Sequence, residues 1–569
     1  MCSKEHLMSN SDNSDKRKLI IDEKNRVQVL VELAKPKSSD SRDLSLARDL
    51  IQQGFELDTE YGAISMPPNP EMARSLDLRD MDLVMVRGKI EKDKIKDLEA
   101  QADVIAVWED TAGIRPFSGK NNHYIQVISD ARGLCPIPPC DCDSGTPKGS
   151  INDVVKYLGV DGIHAAGIKG QGVVVAIQDG GITAEGRSIN SQDTSDPDWP
   201  GKLIPNVIDG SMSDWGTTGV GNPPFERWDW HGNMCATDVL GIAPEAKLYD
   251  LRITGDALGN ASKNLDWAIK RHRLDGTPHI ITNSWGYYME EWDPNYTTNP
   301  NHPLTKKVIQ AIDEGIIVLF AAGNCGGNPC ADPRCESDTG QGRSIWGANG
   351  HNRVITVAAV NKNEQYVGYS SCGPAALDPN KPDFASITHF TGFFNSDSGT
   401  SAATPIAAGV VALLKQKSQS ITHDEVKSIL MMTAKSKGGP DLKVFLGAGI
   451  IQAKAAYDKI SGQTTTITPL PSNELRNQSQ GGNGPLVLND PRAALVKNLQ
   501  IILKKLGHEL GNFGPNGDGI DGKFGNKTRT AVVEFQGTHV DVNGNKLRVD
   551  GKVGKLTAES LNKAVGIEG

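Results

Sequence analysis

Uninterrupted apolar runs in the middle of the chain constrain its fold more than any other feature. Residues 172–177 read Gly-Val-Val-Val-Ala-Ile. Further strands are predicted at 247–253, 279–284, 316–322 and 354–359. A strand that is apolar at every position needs cover on both faces, as in a parallel sheet. Helical patterns at 265–270 and 306–314 alternate with the strands, which predicts an α/β domain with a doubly wound, mostly parallel sheet over residues 151–460.

Residues 17–115 differ in character from this domain. Strands are predicted at 27–31, 83–86 and 104–110, and helices at 44–51 and 90–100. The pattern predicts a small α+β domain with its own core. A polar, disordered leader is expected at 1–16. A Cys- and Pro-rich linker is expected at 116–150, where exposed chain favours proteolytic nicking.

The end of the chain is a separate module. A Thr-, Pro- and Gly-rich flexible linker is expected at 461–485, followed by a small helical domain at 486–569. Val496, Leu499, Leu503 and Leu506 share one helical face. Asp521 and Asp550 each begin an Asp-Gly-Lys repeat, and the following Thr528 and Thr557 are expected to cap the helices that start after them.

Composition excludes several classes of protein. The 569 residues carry a net charge of −9, so nucleic acid is not expected as a partner. No run is apolar enough to span a membrane. The N-terminal stretch lacks the hydrophobic region of a signal peptide.

The 9 cysteines are an odd number, so at least one has no partner within the chain. Six of them form two trios, Cys135, Cys140, Cys142 and Cys325, Cys330, Cys335. Neither trio has the spacing of a structural zinc site. The sequence leaves open whether the cysteines form disulfides or stay as thiols.

One glycine-rich turn contains a candidate nucleophile. Gly399-Thr-Ser-Ala-Ala-Thr-Pro places Ser401 before a long apolar helix. Small neighbours let the backbone approach a ligand, and a helix start favours developing negative charge. Pro405 is expected in the first turn, where its missing N–H costs little. An ordinary glycine-serine turn explains the same residues.

Three further residues suit the needs of a serine nucleophile. Asp179 follows the strand at 172–177, His231 precedes a glycine, and Asn324 follows another apolar strand. Each alone is equally an ordinary turn or surface residue. Together they supply an orienting carboxylate, a base and an oxyanion donor. The chain order Asp, His, Ser is one of the known orders for such a triad.

These motifs together resemble those of the subtilisin-like serine proteases. Asp179 lies in Val-Ala-Ile-Gln-Asp-Gly-Gly-Ile, His231 in His-Gly, Asn324 in Ala-Ala-Gly-Asn and Ser401 in Gly-Thr-Ser-Ala-Ala-Thr-Pro. The resemblance covers roughly residues 150–460. It implies that Ser401 attacks a peptide carbonyl while His231 takes its proton. Asp179 then holds His231, and Asn324 with the Ser401 N–H binds the oxyanion.

The resemblance also implies that Ser284, Trp285 and Gly286 lie along the bound substrate. The bulky Trp285 is expected to shape the primary specificity pocket. The residues after His231 depart from the usual family pattern, and Cys235 is among them, four positions after the histidine. We therefore predict that thiol reagents or heavy metals inhibit the enzyme.

The flanking modules have resemblances of their own. Residues 17–115 resemble an inhibitor-type propeptide, best over 83–110. This implies a unit that assists folding, covers the active site and is cut away after about residue 110; a permanent structural domain is the alternative. The tail, over about 490–565, resembles a peptidoglycan-binding three-helix domain.

The leading hypothesis is a monomeric serine endopeptidase, made as an autoprocessed zymogen, that acts on proteins or peptides and binds cell-wall peptidoglycan. It requires no metal or cofactor. Structural calcium fits the family, but Asn516, Asp518 and Asp521 lack the ligand set of an EF-hand and indicate a turn.

Two alternatives remain. One is an inactive protease-fold protein targeted to the cell wall. The other is a cell-wall hydrolase, for which no metal or carboxylate site competes with the serine constellation. The C-terminal module suggests the cell envelope or the extracellular space, whereas the missing signal peptide suggests the cytoplasm, and both locations stay open.

Overall fold

The chain divides into two compact units, Met1–Asp458 and Lys459–Gly569. The computed structural model describes residues 16–36, 50–51, 54–68, 81–117, 137, 140–188, 201–217, 228, 230–438, 440–462, 469–476, 479, 482–511 and 519–566. All but the last residue of the expected leader at 1–16, nearly all of the helix predicted at 44–51, and much of both expected linkers lie outside these residues, as do Cys135, Asn516 and Asp518.

The first unit begins with an antiparallel sheet. Its strands are β1 (Arg26–Pro36), β2 (Glu56–Leu57), β3 (Ile64–Met66), β4 (Met81–Glu91) and β5 (Val104–Glu109). They lie in the order β2-β4-β1-β5, with β3 beside β4. Side chains alternate between faces. Val29 and Val31 therefore pack in a core with Leu98, while Leu30 packs with Tyr61 and other residues on the opposite face.

The helix predicted at 90–100 is wrong in its first half. Strand β4 continues to Glu91, a 3-10 turn follows, and the helix spans only Ile95–Glu99. Ile90 lies opposite Val27 of β1 and is fully buried there. Pairing with β1 therefore overrides the local helical pattern.

A second, larger sheet confirms the doubly wound α/β fold. Its strands are β7 (Cys140–Asp141), β8 (Val174–Asp179), β9 (Val207–Gly210), β10 (Lys247–Arg252), β11 (Ile280–Asn283), β13 (Ile317–Ala321), β14 (Ile355–Asn361), β15 (Tyr366–Val367) and β16 (Phe384–Thr388). Their order is β7-β15-β14-β13-β11-β8-β10-β9, with β16 beside β14. Every pairing is parallel except β14 with β15. Two short strands, β6 (Arg115–Pro116) and β12 (Trp285–Gly286), form a separate ribbon.

Helices cover both faces of the large sheet. They span Ile151–Leu158, Val160–Ala165, His231–Ile242, Leu258–Asp275, Pro294–Thr297, Pro303–Asp313, Gly399–Lys417, His423–Thr433, Lys443–Leu446 and Ala453–Gly462. The helices Leu258–Asp275 and Pro303–Asp313 share one core with the sheet. The helices His231–Ile242 and Gly399–Lys417 pack on each other, and the second packs on β11, β13, β14 and β16.

The second unit has three main helices, Ala493–Lys505, Asn526–Thr538 and Lys555–Ala564. Of the predicted helical face, Val496, Leu499 and Leu503 are fully buried, and Leu506 packs against the same core. The expected threonine caps are wrong. Both threonines are the third residue of their helices, and the hydroxyl groups of Thr528 and Thr557 instead accept hydrogen bonds of 3.2 Å from Gln500 and Gln536 respectively.

Candidate active site

The parallel sheet brings three of the predicted residues to one edge. Asp179 ends β8, Ser284 follows β11, and Asn324 lies just beyond β13. The strand order reverses between β8 and β11, since β10 follows on one side of β8 and β11 on the other. Clefts at the carboxyl ends of strands beside such a reversal are the usual ligand sites of α/β sheets.

The His231 ring is held by Asp179. Nδ1–H of His231 donates to Oδ1 of Asp179 at 2.8 Å and lies 3.0 Å from Oδ2. Both side chains are 1% exposed. This hydrogen bond assigns the proton to Nδ1 and leaves Nε2 as an acceptor. Nε2 has no hydrogen-bond partner among the described residues.

Steric contact explains why glycine follows His231. His231 starts its helix directly after Trp230, which has a φ of 63°. A Cβ atom on Gly232 would lie 2.2 Å from the carbonyl oxygen of Gly181. The start of the helix therefore packs on the loop that follows Asp179, and only glycine fits at this contact.

The helix after the glycine-rich turn begins earlier than the sequence suggests. It starts at Gly399, whose φ is +81°, so Ser401 is its third residue. The N–H of Ser401 is therefore among the first four of the helix, which have no partner within it. The expected position of Pro405 in the first turn is wrong, because it lies in the second turn.

Pro405 has a consequence for Ser401. It has no N–H to donate to the carbonyl oxygen four residues earlier, which belongs to Ser401. Oγ–H of Ser284 donates to that oxygen instead, at 2.9 Å. The Ser401 hydroxyl in turn donates to the carbonyl oxygen of Ser284 at 2.9 Å, so it is turned away from a hydrogen bond with His231.

The Asn324 amide points into the same site. Its Oδ1 accepts the backbone N–H of Thr400 at 3.0 Å, which orients the carboxamide. Its Nδ2 donates to the carbonyl oxygen of Phe117 at 2.8 Å. A Cβ atom on Gly399 would lie 2.0 Å from that oxygen. The carbonyl group of Phe117 thus lies where Asn324 is expected to hold an oxyanion.

Ser284, Trp285 and Gly286, which were expected to lie along the substrate, instead contact residues 115–117 of the same chain. Strand β6 pairs antiparallel with β12, so that Pro116 lies opposite Trp285 and Arg115 opposite Gly286. The N–H of Phe117 donates to the carbonyl oxygen of Ser284 at 3.0 Å. Sequence reasoning missed this segment, because β6 is two residues long and carries no periodicity.

The Trp285 side chain does not lie where the sequence analysis expected. Its Nε1–H donates to the carbonyl oxygen of Gln178 at 2.8 Å, and its ring packs edge-on against Phe320 in the core. The Phe117 ring instead contacts Gly286, where a Cβ atom would lie 2.7 Å from its Cζ, and packs edge-on against Tyr288. Trp285 thus contributes its backbone to the ribbon with β6.

Cys235 lies beside the Asp179–His231 pair. Its Sγ is 3.6 Å from Oδ2 of Asp179 and 3.9 Å from Nδ1 of His231. It is fully buried, and burial raises the pKa of its thiol well above the usual range. Asp179, His231 and Cys235 offer ligand atoms within 4.8 Å of one another, so the group has the geometry to bind a soft metal ion.

The structure pairs several cysteines that the sequence left open. Disulfides join Cys142 to Cys330 and Cys325 to Cys335. Within the part of the chain that the structure describes, Cys235 and Cys372 are free thiols. Both disulfides attach to the loop that follows Asn324 and so brace the oxyanion side of the site.

Comparison with known families agrees with this geometry. Residues 170–449 match the subtilase family. The chain carries a subtilase-family domain. Residues 492–561 match a putative peptidoglycan binding domain. No helix among the described residues is long and apolar enough to cross a membrane.

Several curated relatives are similar to the subtilase domain. The thermostable alkaline protease of Halalkalibacterium halodurans is 28% identical over 316 residues, which are 53% of this chain and 72% of the relative. Subtilisin BL of Lederbergia lenta is 27% identical over 307 residues, or 52% and 93% of the two chains. Serine protease AprX of Bacillus subtilis is 26% identical over 333 residues, or 50% and 66%.

Proposed function

We propose that this protein is a serine endopeptidase that hydrolyses peptide bonds through an acyl-enzyme. The observation that carries the proposal is the buried hydrogen bond of 2.8 Å between Nδ1 of His231 and Asp179. It leaves the other ring nitrogen as a base, in a site where Ser401 and Asn324 lie together. The match to the subtilase family and the named proteases among the relatives support a peptidase.

The proposed reaction starts with rotation of the Ser401 hydroxyl from the Ser284 carbonyl towards Nε2 of His231. Ser401 then attacks the substrate carbonyl carbon as His231 takes its proton. Asp179 holds the imidazole and stabilises its charged form. Nδ2 of Asn324 and the N–H of Ser401 donate to the oxyanion. His231 protonates the leaving amine, and water hydrolyses the ester by the same path.

We further propose that the protein is made as a zymogen whose N-terminal sheet acts as an inhibitor-type propeptide. Contacts between this sheet and the subtilase domain support the proposal. Glu32 of β1 pairs with Lys306 at 2.5 Å, and Asp110 accepts the N–H of Gly259 at 2.8 Å at the start of a helix. Ser401 is fully buried in this arrangement, as expected for a blocked site.

The C-terminal unit is proposed to bind cell-wall peptidoglycan. Its match to a putative peptidoglycan binding domain supports this role. It would concentrate the endopeptidase on the wall, where protein substrates or wall-associated peptides are within reach. A pull-down of the full chain with insoluble peptidoglycan tests this role separately from catalysis.

A fluorophosphonate probe tests the catalytic proposal, because it reacts only with an activated serine. The wild-type protein is expected to bind one probe per chain, with the adduct mapped to Ser401 by peptide mass spectrometry. Ser401→Ala is expected to bind none. Labelling should begin only after the N-terminal fragment is lost. A processed wild-type protein that stays unlabelled would overturn the proposal and favour an inactive binding protein.

A further inference from the structure

The segment Ile114–Phe117 lies in the site as the acyl half of a peptide substrate would. Its strand pairs antiparallel with β12, and the N–H of Phe117 donates to the Ser284 carbonyl at 3.0 Å. The carbonyl of Phe117 accepts from Asn324 at 2.8 Å. The carbonyl that contacts the oxyanion donor is the one that a nucleophile attacks. This geometry singles out one peptide bond, between Phe117 and Ser118.

The residue two positions before Phe117 is held by charge. Nη1 of Arg115 donates to Oδ2 of Asp256 at 2.5 Å. The Asp256 side chain is 5% exposed, and its other oxygen accepts Nε1–H of Trp228 at 2.8 Å. Asp256 also accepts the N–H of Ile114 at its backbone carbonyl, at 3.1 Å. A buried carboxylate fixed in this way selects for a cation.

Two further side chains of the segment, those of Ile114 and Phe117, are buried in apolar surroundings. Ile114 is fully buried and Phe117 is 2% exposed. The Phe117 ring lies 5.1 Å from the ring of Tyr288, and the Tyr288 hydroxyl donates to the carbonyl of Pro116 at 2.9 Å. The site therefore fits a large apolar side chain at the residue that is cut and an aliphatic one three positions earlier.

We propose that the chain processes itself at the Phe117–Ser118 bond, and that Asp256 selects a basic residue two positions before the residue whose carbonyl group is attacked, as Arg115 is to Phe117. The inference rests on the proposed serine endopeptidase function. Oγ of Ser401 bonds to the carbonyl carbon of Phe117, and the bond to the Ser118 nitrogen breaks. The Ser401 proton passes through His231 to the Ser118 amine. Water then splits the ester into the Phe117 carboxylate and the free Ser401 hydroxyl.

A cut after Phe117 leaves both disulfides, Cys142–Cys330 and Cys325–Cys335, within the processed enzyme. Cys142, which follows the cut in the chain, is joined to Cys330 in the loop beyond Asn324. The disulfide fixes Cys142 to that loop, and the proposed cut does not touch it. The released fragment would keep the whole antiparallel sheet, from β1 to β5.

The first experiment reads the cut directly. Purified full-length protein is incubated, and the products are analysed by intact mass and N-terminal sequencing. The expected new N-terminus is Ser118, with a fragment that ends at Phe117. Phe117→Asp is expected to slow this cut at least tenfold, whereas Phe117→Leu processes normally. A first cut at any other bond would overturn the proposal.

The second experiment tests Asp256 on peptides in trans and does not depend on the folding of the Phe117 variants. The processed enzyme is assayed with the p-nitroanilides of Ile-Arg-Pro-Phe and Ile-Ala-Pro-Phe. The arginine peptide is expected to have a kcat/KM about tenfold higher. Asp256→Asn, whose side-chain oxygen can still accept from Trp228, is expected to remove this preference, which is read as the ratio of the two kcat/KM values within the variant. Equal rates in the wild type, or a preference that survives in Asp256→Asn, would overturn the role of Asp256.

These results separate the inference from the function on which it rests. If the protein reacts with a fluorophosphonate at Ser401 but its processed form has an N-terminus other than Ser118, it is an active protease with a different maturation site. A protein that neither reacts with the probe nor cleaves peptides overturns the proposed function itself.

Discussion

Ser284 and Ser401 exchange two hydrogen bonds, each from one hydroxyl to the other residue's carbonyl oxygen, and both are 2.9 Å long. The pair joins the end of β11 to the first turn of the helix that carries the candidate nucleophile. Pro405 makes the exchange possible, because it leaves the Ser401 carbonyl without its helical donor.

A double-mutant cycle tests this relationship. In a Ser401→Ala background, which prevents self-cleavage, Ser284→Ala is expected to lower the free energy of unfolding by about 1 kcal/mol, since it leaves the buried carbonyl of residue 401 with only the weak thiol donor of Cys235, at 3.8 Å. Pro405→Ala supplies a helical N–H for the same carbonyl. It is therefore expected to reduce the cost of Ser284→Ala, as measured by urea unfolding. Strictly additive effects would show that Pro405 has no part in the pairing.

The close approach of Gly232 to Gly181 predicts a severe effect from one methyl group. Gly232→Ala places a Cβ atom 2.2 Å from a carbonyl oxygen. We expect it to destabilise the protein by more than about 2 kcal/mol, with loss of probe labelling at Ser401, because the His231 helix must shift. Gly162→Ala is the matched control, since its Cβ would lie 3.4 Å from the nearest atom. Equal thermal unfolding midpoints for the two variants would contradict the steric explanation.

Two buried carboxyl groups predict a pH dependence of stability. Asp238 lies on the helix that begins at His231, and Asp397 lies two residues before the helix of Ser401. Burial raises the pKa of Asp397 to about 6, although N–H groups of Phe393 and Phe394 donate to it. Burial, with the neighbouring charge of Asp397, raises the pKa of Asp238 well above its usual range.

The direction of the effect follows from these raised pKa values. The folded protein binds these protons more tightly than the unfolded chain, so stability falls as the pH rises above about 4. The contribution of Asp397 falls until about pH 6, and that of Asp238 falls until the pH passes its own raised pKa. A carboxyl raised from about 4 to about 6 costs about 3 kcal/mol at pH 8. Asp238→Asn is expected to raise the unfolding midpoint at pH 8 more than at pH 4.5. Parallel pH profiles for the two proteins would refute this.

The position of Cys235 makes the predicted inhibition by thiol-directed agents specific. The thiol is fully buried and its pKa is raised, so we expect slow reaction with iodoacetamide. Mercuric ion is small and binds sulfur, and it is expected to inhibit peptide hydrolysis by binding beside His231. Cys235→Ala should resist mercuric ion, whereas Cys372→Ala, which removes the other free thiol among the residues that the structure describes, should remain sensitive. Inhibition that persists in Cys235→Ala would place the metal elsewhere.

The sequence predicted the parts of this structure that depend on local pattern. The doubly wound sheet followed from runs such as 172–177, since full burial leaves a strand no polar positions. Asp179, His231, Asn324 and Ser401 were recognisable because each follows or begins a regular element within a short motif.

Features set by contacts between distant segments could not be predicted in this way. Ile90 continues strand β4 because it pairs with Val27 of β1. The two-residue strand at Arg115 exists only because β12 lies beside it. Trp285 turns its indole to the core because the carbonyl of Gln178 and the ring of Phe320 are there. Local propensity contains none of this information.

The most direct test of the account is the intact mass of purified wild-type and Ser401→Ala protein after the same incubation. The account predicts that the wild type loses an N-terminal fragment and that Ser401→Ala stays whole. If both stay whole while the wild type also fails to react with a fluorophosphonate, Ser401 is not a working nucleophile. That result would contradict the account at its centre.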